Sequence, residues 1–163
     1  MSVAIRKAVP DDTDAIYNMI NGLSVYREAP PDAIPGVEEI RTTLFAEDTN
    51  AEAYICEIEG IVAGYAVVSQ SYSTWLGRHS LNMDDLYFTP DYRGRGAGKA
   101  MLQFIAQMAV SRRCSRIEWN ALEWDKSAKD FYNSIDALPL NEWVRYRLDG
   151  PALERFASQV INS

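Results

Sequence analysis

The chain has 163 residues, 47% of them hydrophobic, a length and composition that suit one ordinary domain, residues 1–163, with a well-buried core. Sixteen Lys and Arg stand against 23 Asp and Glu, a net charge of −7 that leaves no basic face for nucleic acid, and there is no apolar run long enough to span a bilayer and no signal-peptide core in Met1 to Lys7, so a cytoplasmic protein is expected. One histidine, His79, argues against a zinc site or a histidine-based triad, and the two cysteines, Cys56 and Cys114, sit in or beside apolar segments as free thiols.

Val3 to Val9 alternates as a first strand, and Pro10-Asp11-Asp12 supplies a turn and an N-cap for a helix through Ile16, Met19, Ile20 and Leu23. Ala29-Pro30-Pro31 and Pro35-Gly36 break the chain before a short helix from Val37 to Phe45, leaving a loop placed to fold over a substrate mouth. Tyr54 to Ile58 and Ile61 to Gln70 read as a hairpin turning at Glu59-Gly60, and Ser80 to Phe88 continues the sheet. Met101, Phe104, Ile105 and Met108 then recur at helical spacing. A strand over Arg116 to Leu122, a helix over Ser127 to Ile135, a final strand over Trp143 to Leu148 and a helix from Pro151 complete the chain. Strands clustered in the middle with helices between them predict a mixed α/β fold, a central sheet covered on both faces.

Between strand and helix lies Asp91-Tyr92-Arg93-Gly94-Arg95-Gly96-Ala97-Gly98-Lys99. Glycines let backbone close around phosphate oxygens, and the free N–H groups of a helix start favour an anion, so a pyrophosphate fits there. A P-loop is excluded, because Ala100 stands where Ser or Thr is required; a dinucleotide fingerprint is weak, because Lys99 replaces its third glycine. What remains, Arg-Gly-x-Gly-x-Gly after a strand, resembles the motif of the GNAT superfamily of acyl-CoA-dependent N-acetyltransferases.

The similarity extends downstream to Ala121-Leu122-Glu123-Trp124-Asp125-Lys126-Ser127 and Phe131-Tyr132, and upstream to Tyr72-Ser73-Thr74-Trp75-Leu76-Gly77. With Trp143 and Leu148-Asp149 it spans nearly the whole chain and looks closest to the diamine (spermidine/spermine) acetyltransferases. The resemblance implies a mostly antiparallel GNAT-like sheet, acetyl-CoA as co-substrate without a metal, and, by analogy, a homodimer. It implies co-substrate contacts from Leu86, Tyr87, Phe88, Arg93, Gly94, Arg95, Gly96, Ala97, Gly98, Lys99, Asp125, Ser127 and Tyr132. Two positions depart from the family pattern: Asp125 stands where Asn is common, which touches a contact to the pantetheine arm, and Asp136 where Gly is common, which touches only a turn.

Attack of an amine on a thioester makes three demands. An alkylammonium with a pKa of about 10.4 must lose a proton, and Asp84 or Asp85 is the candidate base, acting through water because aspartate is short. In a regular strand only one of that pair faces the site. Charge on the thioester oxygen must be stabilised, which the resemblance assigns to backbone N–H groups around Leu86, Tyr87 and Phe88 in a splayed strand. The departing thiolate needs a proton, and Tyr132 is the candidate acid.

Tyr26, Glu28, Trp75, Asp85, Glu123 and Trp143 lie at positions that resemble substrate-side elements of the polyamine acetyltransferases, and Arg27 departs from that acidic and aromatic lining. Carboxylates and aromatic faces suit a diamine or polyamine, whereas Arg27 suits the carboxylate of a lysine- or thialysine-like diamino acid. The sequence-level alternative to an enzyme is a non-catalytic acyl-CoA-binding module, which would have no use for Asp84 or Tyr132.

Overall fold

The computed structural model describes residues 2–30 and 34–161, so residues 31–33 of the proline-rich loop lie outside the described residues. Two compact units, Met1–Leu122 and Glu123–Ser163, make up the chain.

In the first unit, β1 (Val3–Lys7) leads through a single 3-10 turn at Pro10–Asp12 into α1 (Thr13–Tyr26) and α2 (Val37–Leu44). Strands β2 (Ala51–Ile58), β3 (Ile61–Ser73) and β4 (Arg78–Phe88) follow, then α3 (Ala97–Ser111) and β5 (Ile117–Glu118). The sheet order is β1-β2-β3-β4-β5, antiparallel except for the parallel β4/β5 edge. Glu59 and Gly60, with φ of +50° and +78°, give the β2–β3 hairpin the two left-handed residues that a tight turn matching strand twist requires.

Alternation along the strands divides the core. Ala53 and Ile55 of β2, Tyr65 of β3 and Tyr87 of β4 cluster with Ile16, Met19 and Leu23 of α1. The neighbouring residues point the other way, and the ring of Tyr54 meets Phe104 of α3 edge-on at 5.2 Å. Helices therefore cover both faces, α1 with the end of α2 on one and α3 on the other, as predicted. Ile16, Ile55 and Ile105 are fully buried, each worth about 1.5–3 kcal/mol relative to exposure. A bidentate pair from Arg112 to Glu52, at 2.8 and 3.1 Å, ties the end of α3 to β2.

Several expectations are corrected. Asp12 stands at the N-cap position of α1, but its side chain makes no cap hydrogen bond there. Its carboxylate turns back to accept the Val9 amide at 2.8 Å and two hydrogen bonds from Arg6, at 2.8 and 2.9 Å. β1 ends at Lys7, and β5 is only Ile117–Glu118 rather than Arg116 to Leu122, because β4 offers it just two partners, Leu81 and Asn82. Cys56 is buried and Cys114 half-buried, both free thiols.

The second unit holds α4 (Lys126–Ser134) and α5 (Gly150–Ala157). Asp125 caps α4, accepting the Ala128 amide at 3.1 Å. Asp136 has a φ of +63°, which explains the usual glycine at that turn. The predicted strand over Trp143 to Leu148 is not formed: a strand needs ladder partners, and this unit's described residues contain no other strand. No helix of the described residues is long and apolar enough to cross a membrane, and no group of three or more His, Cys, Asp or Glu among them is arranged to hold a metal ion.

Candidate active site

The acidic pair on β4 sits at a break in strand register. Val67 pairs with Asp85 but Val68 pairs with Met83, so Asp84 is an extra residue, a β-bulge. A regular strand would aim the two aspartates at opposite faces. Here Asp85 accepts the Tyr65 hydroxyl at 2.9 Å, while Asp84 accepts the Ser69 hydroxyl at 2.8 Å and the Asn82 side-chain amide at 2.6 Å. Tyr65 and Ser69 lie an even number of residues apart on β3 and share its α1-side face, so the bulge brings both carboxylates to that side. Asp84 is exposed and Asp85 half-buried.

Beside Asp85 the end of α1 forms a small mouth. Arg27 Nη1 stands 3.5 Å from Asp85 Oδ1. The two charges border a concavity of about 170 Å³ whose apolar walls are Ile20, Leu23, Ile34 and Pro35. Burial, reinforced by the Asp85 charge, pushes the Tyr65 phenol far above its ordinary value, so it remains a hydrogen-bond donor to Asp85 at any physiological pH. Helix α1 is stopped here by Glu28, whose φ of +57° lets the Ala29 amide turn back to Ser24 O at 2.9 Å. Glu28 is exposed on that hook.

The other edge of β4 supplies backbone donors. β5 pairs with Leu81 and Asn82 alone, so from Met83 to Phe88 the described sheet leaves that edge without a ladder. The Thr89 amide donates to Ala63 O at 2.9 Å, and alternation then turns the amides of Tyr87 and Asp85 toward β3 and those of Leu86 and Phe88 outward. Immediately afterwards the chain enters the glycine loop. Gly94 and Gly96 have φ of +73° and +82°, and Gly96 is the residue from which α3 starts. Arg95, Gly96 and Lys99 are exposed, Gly98 half-buried, and Ala97 buried, anchoring the helix start.

The Arg93 side chain does not reach toward the glycine loop's anion position. Its Nε donates to Phe88 O at 2.8 Å, and its guanidinium lies 5.4 Å from the Tyr26 ring and 5.2 Å from that of Tyr87. Arg95 similarly lies over Tyr92, at 5.4 Å.

Tyr26, Arg27, Glu28, Asp84 and Asp85 thus belong to one neighbourhood of the first unit, and Leu86 to Lys99 continue from it. Trp75 does not join them: it is 89% exposed at the tip of the β3–β4 hairpin, beyond the Ser73–Arg78 pair. That pair lies six residues along β3 from Val67 and Asp85, roughly 20 Å at strand rise. In the second unit Tyr132 is half-buried on α4, its ring 5.5 Å from Phe131. Ser127 is exposed in the first turn of α4, Glu123 pairs with Lys129 at 2.9 Å, and Trp143 is exposed. Sequence reasoning missed Tyr65, Ser69 and Asn82, the partners of the acidic pair. The alternation of Tyr65, Val67 and Ser69 on one predicted strand was the available signal.

The description "Acetyltransferase (GNAT) family" matches residues 17–135, across the bulged strand, the glycine loop and α4. A thialysine N-epsilon-acetyltransferase of Sus scrofa is 30% identical over 169 residues, covering 97% of this chain and 99% of that protein. An L-ornithine N5-acetyltransferase of Arabidopsis thaliana is 30% identical over 126 residues, 76% of this chain and 55% of its own length. An integron cassette protein from the mobile metagenome of V. cholerae shares the fold, with a TM-score of 0.83 at 23% identity over 98% of this chain and 99% of that one. Whole-length similarity, a matching family pattern and a bulged β4 running into a glycine-led helix converge, and the chain belongs to the GNAT acetyltransferase family, an enzyme of acetyl transfer to amines.

Proposed function

We propose that this enzyme transfers an acetyl group from acetyl-CoA directly to a primary amine of a small cationic acceptor, a diamine or polyamine or a lysine- or thialysine-like diamino acid. The observation that carries the reading is the Arg27–Asp85 couple, two opposite charges 3.5 Å apart at the rim of a small apolar concavity. A diamino acid carries one charge for each: its carboxylate meets Arg27, its α-ammonium meets Asp85, and its distal amine extends to the thioester. Relatives named as a thialysine and an ornithine acetyltransferase support the diamino acid ahead of the polyamine.

In the reaction, a water hydrogen-bonded to Asp84 takes the ammonium proton, and Ser69 and Asn82 fix the carboxylate that receives it. The amine nitrogen attacks the thioester carbon, and the outward amides of Leu86 and Phe88 stabilise the oxyanion. The C–S bond then breaks as the nitrogen gives up its second proton to water, Tyr132 gives its proton to the leaving thiolate, and the tyrosinate takes a proton back from solvent. The glycine loop and the start of α3 hold the pyrophosphate. No step requires a metal. The family pattern runs through both compact units, which supports one functional domain over 1–163. A cytoplasmic homodimer with no nucleic-acid or membrane partner completes the proposal.

Thiol release from acetyl-CoA, measured with an amine panel, tests it. Lysine, thialysine, putrescine and spermidine are expected to stimulate release well above phenethylamine, with activity rising with pH as the acceptor amine deprotonates. Equal rates with the neutral-bodied monoamine would remove the dication-type acceptor. Acetyl-CoA binding without transfer to any amine would leave a sensing module in place of the enzyme.

A further inference from the structure

Arg93 occupies an unusual position between the two halves of the reaction. It begins the glycine loop, yet its guanidinium is turned away, between Tyr87 on β4 and Tyr26 in the last turn of α1. Its Nε holds the carbonyl of Phe88, the last residue of β4, at 2.8 Å. Phe88 in turn faces the glycine loop's helix: a Cβ at Gly98 would lie 3.9 Å from its ring. On the α1 side the contact is closer still: a Cβ at Gly22 would overlap the Tyr87 hydroxyl, and glycine there lets the helix seat against that ring. Tyr26 is followed directly by Arg27, which faces Asp85.

We infer that Arg93 is a positioning residue that couples occupation of the glycine loop to the order of the acceptor mouth. A ligand fixing the loop backbone fixes the start of the Arg93 side chain. The guanidinium then holds Tyr26 and with it the hook at the end of α1, whose amides of Arg27, Glu28 and Ala29 donate to Leu23, Val25 and Ser24 at 2.9, 3.1 and 2.9 Å. The acceptor mouth is therefore best formed once the acyl carrier is bound, and the two substrates favour each other's binding. Charge over two aromatic faces suits this task, because the contact is attractive yet permits sliding until the loop is pinned.

The inference rests on the glycine loop being the coenzyme A site, and the test separates the two. Amide hydrogen exchange over residues 23–29 is measured with and without saturating coenzyme A, which needs no knowledge of the acceptor. In the wild type, exchange of the three hook amides is expected to slow about fivefold or more on binding. Arg93→Met should still bind coenzyme A but lose the slowing, and Arg93→Lys, which keeps the cation over the rings, should recover part of it. Tyr26→Leu removes the receiving ring without touching the loop, and decides the matter if Arg93→Met does not fold: its coenzyme A affinity should stay within about twofold while the slowing disappears. Binding by the wild type with no change at the hook overturns the coupling and leaves the proposed function standing. Slowing that persists in Arg93→Met or Tyr26→Leu overturns it as well. Failure of the wild type to bind coenzyme A overturns the reading of the loop itself.

Discussion

Replacing Arg27 by alanine divides the acceptor classes by the sign of the effect. Arg27 and Asp85 are 3.5 Å apart, with side chains 42% and 25% exposed, so water screens the pair and its contribution to folding is at most about 1 kcal/mol. Binding is a different matter. A carboxylate held by Arg27 loses a charge-assisted hydrogen bond worth about 1.5–3 kcal/mol, which at 1.4 kcal/mol per decade raises KM about 10- to 140-fold. A polyamine instead loses a like charge and gains an unpaired Asp85; an exposed ion-pair increment of about 0.5–1 kcal/mol then lowers its KM about two- to fivefold. The assay is steady-state thiol release at saturating acetyl-CoA with lysine, thialysine, putrescine and spermidine, with thermal unfolding as the control for an intact fold. Opposite movement for amino acids and polyamines is the expected result. If KM changes less than twofold for every acceptor, the Arg27–Asp85 couple is a surface ion pair and the acceptor binds elsewhere.

Tyr132→Phe is expected to lower turnover by roughly 10²–10⁴-fold while leaving acetyl-CoA affinity nearly unchanged, as calorimetry beside single-turnover kinetics will check. Gly98→Val is a cleaner probe of the loop than Gly96→Val: a Cβ at Gly98 meets only the Phe88 ring, at 3.9 Å, whereas Gly96 has a φ of +82° and strains any other residue. The Gly98 variant should fold and bind acetyl-CoA at least tenfold more weakly, a loss of about 1.4 kcal/mol or more; wild-type affinity would take the pyrophosphate away from this helix start. The Arg6 hydrogen bonds, reinforced by the Val9 amide and opposed by burial, hold the Asp12 carboxyl below its ordinary 3.8. A depressed folded value means stabilisation that is complete above the unfolded pKa and lost as pH falls through the folded one. The melting temperature of the wild type should therefore fall below about pH 4 more steeply than that of Asp12→Asn, and parallel curves would assign the acid sensitivity to other groups.

What the sequence could and could not reveal follows from the range of each signal. Apolar spacing located α1, β2, β3, β4 and α3 to within a few residues, because burial on one face imposes a period that is visible locally. The final strand failed for the converse reason: Trp143, Val144 and Tyr146 have strand-like side chains, but a strand exists only where another chain segment supplies hydrogen bonds. Asp12 holds the expected N-cap position, but Arg6 outcompetes the helix amides for its carboxylate, a contact that depends on where β1 ends. At the site, the glycine loop was legible from residue types alone. The approach of Asp84 and Asp85 was not, since it depends on the register between two strands, and the distance of Trp75 from both depends on how far the hairpin extends.

The bulge at Asp84 makes the proposed chemistry a matter of parity. A strand assigns residues to its faces by odd and even count, and this one skips a count immediately before the acidic pair is complete. The segment from Asp85 to Phe88 therefore behaves as a fixed-length ruler: losing one residue there would reassign every later side chain of β4 to the opposite face, however conservative the composition. The tip around Trp75 has no such constraint, because length added beyond the Ser73–Arg78 pair leaves all the rungs below it unchanged. Variation in chain length within such enzymes should therefore accumulate at one end of the hairpin and be forbidden at the other, and the tip is the place where a tag or graft can be inserted without disturbing the odd and even assignments on which the proposed base chemistry rests.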